Sequence, residues 1–460
     1  MNRFTRIILL FILHPSSLIL VRCATAPQGL HLSPCKVAGA QARCGTFDVR
    51  ESWRSRRVLP LKVIVLPALV HNESPVFIFN GGPGEPTIPG AELEVKEFAA
   101  ERRLHDVVLV DARGTGESAP LICPQAMKQH RHALVEDELF PLPFITDCRA
   151  EIEAQAVPSA YTFPYFVDDI DALRSALGYS KINIVGLSYG TRAALTFLER
   201  HPHSVRSLLL LGPLHPENTM PLNASRDAQP VIERLITDSS ASFPNFSSEL
   251  QRVFSALEEK PVEIKTGDYH LRMTRGMFAE FFRSNLYVVD RQKFIPLMVH
   301  LAAQDDWAAI APRFVRYRQS WYDAIGPFMS ITCPTDVRWI DPNDIPAATA
   351  GTLLGDYRIR RQIAACEQWT PGMTARTRIP RDSSVPILLI TGELDPVTPP
   401  RWMAAIPKAH AIVLANSGHV DDTTCAIPLE VAFFDAGSFD HLDESCAKTI
   451  KRPPFATKLP

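Results

Sequence analysis

The chain has 460 residues, 46% of them hydrophobic and 21% charged, an ordinary composition for a globular protein with one elaborated core or two domains. A formal net charge of −2 supplies no electrostatic attraction for nucleic acid or an anionic membrane surface, so neither is expected as a partner. There is no internal repeat and no low-complexity tract, and the 39 prolines point to many rigid loops and short element ends.

Arg3 and Arg6 precede the apolar run Ile7 to Leu13, which His14-Pro15-Ser16-Ser17 interrupts and Leu18 to Val21 resumes. A basic start followed by an apolar stretch predicts an export signal over residues 1–23. A membrane-spanning helix would need about 20 unbroken apolar residues, which Pro15 denies, so no stable membrane insertion is expected after cleavage. Ala24-Thr25-Ala26 offers small residues for the cut, but Pro27 follows, and cleavage near Cys23 stays open. Lipidation of Cys23 is the lesser reading, because Arg22 is a bulky neighbour for it.

Beyond the leader the chain opens as all-β, and residues 57–66 are a branched, partly alternating strand, as an exposed or edge strand should be. Short continuous apolar runs follow at 76–79, 107–110, 182–185, 207–211 and 386–390. Runs of this kind imply burial on both faces, hence a parallel sheet covered by helices. Between them, residues 166–177 carry apolar positions at helical spacing and Gly178 supplies a stop. Strand alternating with helix is the α/β pattern. From about 213 to 383 the strand runs cease and amphipathic helices are expected over 229–238, 248–258 and 290–305. The aromatics there, among them Phe278, Phe281, Phe282, Trp307, Phe314, Trp321 and Tyr322, are read first as core and second as part of a lid. The expected organisation is thus a core over 24–212, a helical cap over 213–383, and a second core segment over 384–460.

Besides Cys23 there are eight cysteines, an even number that suits disulfides in an oxidising compartment although 105 pairings are possible. Pairing nearest neighbours (35–44, 123–148, 333–366, 425–446) is the simplest arrangement. No CxxC pair occurs, so neither a structural metal nor any cofactor is expected. Sequons stand at Asn72, Asn223 and Asn245.

Gly186-Leu187-Ser188-Tyr189-Gly190 follows a buried strand and opens a helix, the setting in which G-x-S-x-G forms a nucleophile elbow. A serine hydroxyl needs a base to take its proton. His419, in Asn416-Ser417-Gly418-His419 after the strand 411–414, is placed to serve, and Asp395 leaves the strand 386–390 where it can orient the imidazole. Glu393 is the rival acid. His130, His132, His201 and His203 read as solvated surface residues. For the oxyanion, the glycine loop Asn80-Gly81-Gly82-Pro83-Gly84 after the strand 76–79 offers an amide near Gly82, and the elbow offers that of Tyr189. Gly114-Thr115-Gly116-Glu117-Ser118-Ala119 imitates a dinucleotide fingerprint, but Pro120 and Pro124 deny it the required helix. It reads instead as a structural loop tied by Asp111 and Arg113.

These motifs together, with Gly392-Glu393-Leu394-Asp395-Pro396-Val397-Thr398-Pro399 and Ser417-Gly418-His419-Val420, resemble the proline iminopeptidase and tripeptidyl aminopeptidase family through most of the chain. The resemblance implies an α/β-hydrolase fold with an inserted helical cap and a serine exopeptidase acting on peptides with a free N-terminus, with Ser188, Asp395 and His419 in the triad positions. Asn80 stands where many relatives have His, as in the tripeptidyl branch, and Val420 where Gly is common. Family members bind the substrate amino group with carboxylates, for which no matching positions are evident here. A carboxylic-ester hydrolase is the alternative, since the same groups serve both bonds. The chain is expected to work outside the cytoplasm.

Overall fold

The computed structural model describes residues 29–70, 74–369, 374–380, 383–420 and 423–459. The expected export signal, its cleavage region, Cys23 and the sequon at Asn72 lie outside the described residues. Branched and aromatic runs build the strands β1 (Leu30–Val37), β2 (Ala40–Arg50), β3 (Val58–Leu66), β4 (Val76–Phe79), β5 (Val107–Val110), β6 (Ile182–Leu187) and β7 (Val205–Leu211). A hairpin of β8 (Val262–Thr266) and β9 (Tyr269–Met273) stands apart, and β10 (Ile387–Gly392) and β11 (His410–Leu414) complete the set.

Nine of these strands form one sheet in the order β1-β2-β3-β5-β4-β6-β7-β10-β11. The first three are antiparallel, and β3 pairs antiparallel with β5. From β5 to β11 every neighbouring pair is parallel. Every residue of β4, β5 and β10 is buried, which is why their sequences are continuous rather than alternating. Alternate residues still separate two faces. Phe77, Phe79, Ile184 and Leu208 pack with the helices Phe163–Ala176 and Gly190–Arg200, whereas Ile78, Val185, Leu209 and Ile390 pack with Val95, Phe98, Leu429 and Phe433. The parallel register matches Phe79 with Gly186, Leu187 with Leu211 and Gly392 with Leu414. The loops leaving these strands therefore emerge along one edge, where open α/β sheets place their sites.

Between β7 and β10 the chain is mainly helical and has a core of its own. Of the aromatics expected there as core, all but Trp321 are buried, whereas Trp321 is half-buried and lines the cavity that contains Ser188; Phe278 meets Phe254 and Trp307 edge-on with centroids 5.5 Å apart, and Phe281 meets Phe314 at 5.7 Å. The helix expected over 290–305 divides into Val289–Gln292 and Ile295–Ala303, with Pro296 in the first turn of the second. The β8–β9 hairpin was not anticipated, although Val-Glu-Ile-Lys-Thr and Tyr-His-Leu-Arg-Met alternate about a Gly267-Asp268 turn. Equally unanticipated are the helices Pro124–Gln129, Ala133–Glu136 and Leu142–Glu153 between β5 and β6. These join the cap: Leu139 N donates to Tyr357 Oη at 2.8 Å, and Arg318 Nε donates to the Leu134 carbonyl at 2.9 Å.

Disulfides close Cys35–Cys44, Cys123–Cys148, Cys333–Cys366 and Cys425–Cys446, the nearest-neighbour pairing. Among the described residues no helix is long and apolar enough to cross a membrane.

Candidate active site

At the end of β6 the backbone of Ser188 takes φ +51°, a left-handed turn that projects the hydroxyl away from the sheet before the helix Gly190–Arg200 begins. The turn packs too tightly for side chains at its shoulders. A Cβ on Gly186 would lie 2.9 Å from Thr191 Cα, and one on Gly190 would lie 2.1 Å from the Phe79 carbonyl oxygen. Ser188 N donates to the Leu211 carbonyl at 2.8 Å, fixing the elbow to the neighbouring strand.

His419 arrives on the loop after β11. Its backbone N donates to the Tyr287 carbonyl at 2.5 Å, and the Tyr287 ring stands edge-on to the imidazole at 5.6 Å, so the helical segment between β7 and β10 holds this histidine in place. Ser188 Oγ donates to His419 Nε2 at 2.7 Å, and His419 Nδ1 donates to Asp395 Oδ2 at 2.8 Å. The structure therefore brings together Ser188, His419 and Asp395 from three separate loops.

Asp395 is fully buried and heavily solvated by protein donors. Oδ1 accepts from Val397 N and Thr398 N, both at 2.8 Å, and Oδ2 accepts from Thr398 Oγ1 at 2.7 Å and Thr391 Oγ1 at 3.0 Å. Burial pushes this carboxyl up, but the charge and hydrogen bond of His419 and the Thr398 donors outweigh it and hold the group below its ordinary range. Sequence reasoning missed Thr391 and Thr398. The amides two and three residues beyond Asp395 form an Asx-type turn, so the Asp-Pro-Val-Thr segment carried a usable signal. Glu393, the rival acid, is turned away: it accepts from Asn416 N at 3.0 Å and pairs with Arg234 at 3.2 Å.

The glycine loop 80–84 lies against the elbow. A Cβ on Gly81 would come within 3.0 Å of Ser188 Cβ, so only glycine allows the approach. Asn80 Oδ1 accepts from Gly81 N at 2.8 Å while Asn80 Nδ2 donates to the Pro86 carbonyl at 3.1 Å, clamping the loop at both ends. Gly82 and Tyr189 face the same cavity as Ser188, a space of about 90 Å³ under the cap. Tyr189 is held by its hydroxyl, which donates to Asp336, itself paired with Arg192 at 2.7 Å. Behind the loop, Asp111 accepts from Thr87 N and Ile88 N at 2.8 Å, and Arg113 pairs with Asp169 at 2.7 Å, so this glycine-rich segment is structural. Glu85, also missed, is solvent-accessible beside the loop. The surrounding walls push its carboxyl above its ordinary range, against the pull of His419.

His203 is exposed as expected, whereas other histidines expected to be plain solvated side chains are paired. His130 is bonded to Asp147 at 2.7 Å and His201 to Asp168 at 2.8 Å, each pair joining two helices. Among the described residues no cluster of His, Cys, Asp and Glu could hold a metal ion.

A family model for the alpha/beta hydrolase fold matches residues 74–444, most of the chain. The chain belongs to the α/β-hydrolase family. Proteins with sequence similarity include the putative hydrolase YuaR of Escherichia coli K12, 32% identical over 155 residues covering 33% of this chain and 30% of that protein. The serine protease Hip1 of Mycobacterium tuberculosis H37Rv is 28% identical over 222 residues, covering 43% of this chain and 42% of Hip1. The chain thus spans between about a third and two fifths of the length of these curated relatives. A thermophilic esterase from Thermogutta terrifontis is a distant structural likeness, with 16% identity, a TM-score of 0.41, and coverage of 85% of this chain and 97% of that one.

Proposed function

We propose that this α/β hydrolase is an exported serine exopeptidase that removes residues from free peptide N-termini through an acyl-enzyme. The observation that carries the reading is the unbroken hydrogen-bond chain from Asp395 through His419 to Ser188 at 2.8 and 2.7 Å. Ser188 Oγ attacks the scissile carbonyl as its proton passes to His419 Nε2, while the amides of Gly82 and Tyr189 receive the oxyanion. Collapse breaks the C–N bond and His419 returns the proton to the leaving amine. Water then enters by the same route and frees the acyl group. Asp395, kept ionised by its donors, holds the imidazole in the tautomer that accepts from serine.

Three further observations support the peptidase reading. The motifs resemble the proline iminopeptidase and tripeptidyl aminopeptidase family, and Hip1 is named a serine protease. The small cavity under a cap bonded directly to the base suits a chain end better than the middle of a polypeptide. Glu85, whose carboxylate has no hydrogen-bond or ion-pair partner among the described residues, supplies a negative charge near His419 for the substrate's α-ammonium group. Export is supported by the leader-like N-terminus and by four disulfides.

The test compares free-amino peptide anilides, their N-acetylated counterparts and p-nitrophenyl esters. Free-amino anilides are expected to be turned over best, and Ser188→Ala is expected to lower kcat about 10⁶-fold. Equal rates on blocked anilides would remove the exopeptidase reading, and dominant ester turnover would replace it with an esterase. Activity that survives Ser188→Ala would remove the mechanism itself.

A further inference from the structure

The cavity that contains Ser188 is also lined by two guanidinium groups, those of Arg283 and Arg358. Both are engaged by one carboxylate, Glu280. Arg283 grips it in a fork, Nε to Oε2 at 2.9 Å and Nη2 to Oε1 at 2.8 Å, and Arg358 Nη1 reaches Oε1 at 2.5 Å. Tyr317 Oη donates to Oε1 as well, at 3.0 Å. Glu280 is buried and held down at about 2: burial pushes it up, and the two arginines more than reverse that. It is therefore a buried anion whose charge is committed to the two arginines.

One carboxylate against two guanidiniums leaves a positive charge uncompensated, and no Asp or Glu among the described residues lines the cavity. Arg318 is buried and donates to the carbonyls of Leu134, Asp137 and Glu138 rather than to a carboxylate. The nitrogens of Arg283 are all engaged, the last by Tyr287 Oη at 2.9 Å. Those of Arg358 are not. Its Nε and Nη2 have no partner among the described residues and are not sealed inside the protein. The guanidinium is nevertheless fixed in place, stacked at 4.5 Å over Trp321 and flanked by Phe140 and Phe328. A rigid planar cation with two unpartnered donor nitrogens, set in an apolar wall and only partly neutralised, is the arrangement that recognises a carboxylate.

We propose that Arg358 binds a carboxylate on the substrate, so that the site selects acyl groups with an acidic side chain such as an N-terminal glutamyl or aspartyl residue. This rests on the exopeptidase reading only for the choice of amide substrate. The carboxylate site itself is defined by Arg358, Arg283 and Glu280. Glu280 serves as the fixed counter-ion that holds the two arginines together, and its own charge is already spent.

The test uses glutamyl and glutaminyl p-nitroanilides, which differ in charge and scarcely in shape, each with a free and an acetylated amino group. The full-length enzyme is expected to favour the glutamyl anilide in kcat/KM by at least about 10-fold, the scale of one hydrogen bond to a charged group. Arg358→Gln is expected to abolish that preference, mainly by raising KM for the glutamyl anilide to that for the glutaminyl anilide. Arg358→Lys should restore part of it. Should the glutamine variant fail to fold, the preference of the unaltered enzyme still decides the matter. Equal or faster turnover of the glutaminyl anilide by the unaltered enzyme overturns the proposal. So does an Arg358→Gln variant that loses both substrates in equal measure or keeps the glutamyl preference. If the glutamyl preference survives acetylation undiminished, the carboxylate site stands and the free-N-terminus reading falls. If dependence on a free amine remains without any glutamyl preference, the reverse holds.

Discussion

Two sets of buried carboxylates flank the His419 loop, and their surroundings treat them oppositely. On one side Asp395, fully buried, accepts from two amides, two threonine hydroxyls and the imidazole, and stays below its ordinary range. On the other, Glu94, Glu101 and Glu430 sit beneath the sheet edge near a cavity of about 150 Å³ whose wall includes Glu97, Glu430, Gly418 and Val420. Both oxygens of Glu101 and one of Glu94 lack a hydrogen-bond partner. Burial raises Glu94 and Glu101 to about 7, and burial with the neighbouring glutamates raises Glu430 well above its ordinary range. Burial is common to both sets. The supply of donors and of an opposing imidazole decides whether a carboxyl is kept as an anion or as an acid.

The contrast is broken most sharply at Asp395. Asp395→Asn keeps the volume and removes the charge that selects the imidazole tautomer, so kcat should fall about 10⁴-fold with the fold retained. Glu430→Gln, an equally buried acid on the other side of the same loop, should leave kcat within about twofold, since that carboxyl touches none of the reacting groups. Steady-state kinetics with circular dichroism checks both. Comparable losses in the two variants would mean that the loop, rather than the acid, governs catalysis.

The difference between the two sets also marks how far the sequence could be read. Residues that share a local motif were legible. The elbow at Ser188 shows in its flanking glycines, and the continuous strand 386–390 and the run 411–414 announce the loops that carry Asp395 and His419. The parallel core was legible because double-sided burial leaves unbroken apolar runs. The β8–β9 hairpin was written in period-two alternation but lay within a helix-rich stretch whose rhythm masked it. The helices between Pro124 and Glu153 are short, and prolines at their starts read as loops although proline is at home in a first helical turn. Nothing local announces that Glu280 and Arg358, 78 positions apart, share an ion pair, or that Glu101 and Glu430 approach from opposite ends of the chain. Such contacts arise only once the elements have packed.

The glutamates carry a pH signature of definite sign. A carboxyl raised from 4.5 to about 7 holds its proton in the folded chain after the unfolded chain has released it. Its stabilisation is therefore complete below about 4.5, erodes as pH rises toward 7, and is gone above that. Glu101→Gln keeps a neutral group at every pH. At pH 8 it should gain on the order of 1–3 kcal/mol of stability, and near pH 4.5 it should gain almost nothing. Denaturant unfolding with the disulfides intact, run at both pH values, measures the difference. An equal gain at both would show that Glu101 is not held as an acid.

The smallest effect is expected at Thr398, whose hydroxyl donates to Asp395 Oδ2 at 2.7 Å and lies 3.3 Å from His419 Nδ1. Thr398→Val deletes that donor but leaves Thr391 Oγ1, both amides and the imidazole in place, so Asp395 remains an anion with four donors. A hydrogen bond to a charged group contributes about 1.5–3 kcal/mol, and the remaining donors absorb part of its loss, so kcat should fall about 10-fold. The change also has a signature in acid. A depressed carboxyl stabilises the fold above its unfolded value and loses that contribution as pH falls through its folded value. Weakening its solvation moves the folded value up, so the variant should unfold at a higher pH than the parent during acid titration. A tenfold loss of kcat with an unchanged acid midpoint would place the effect of Thr398 on the imidazole instead of on Asp395.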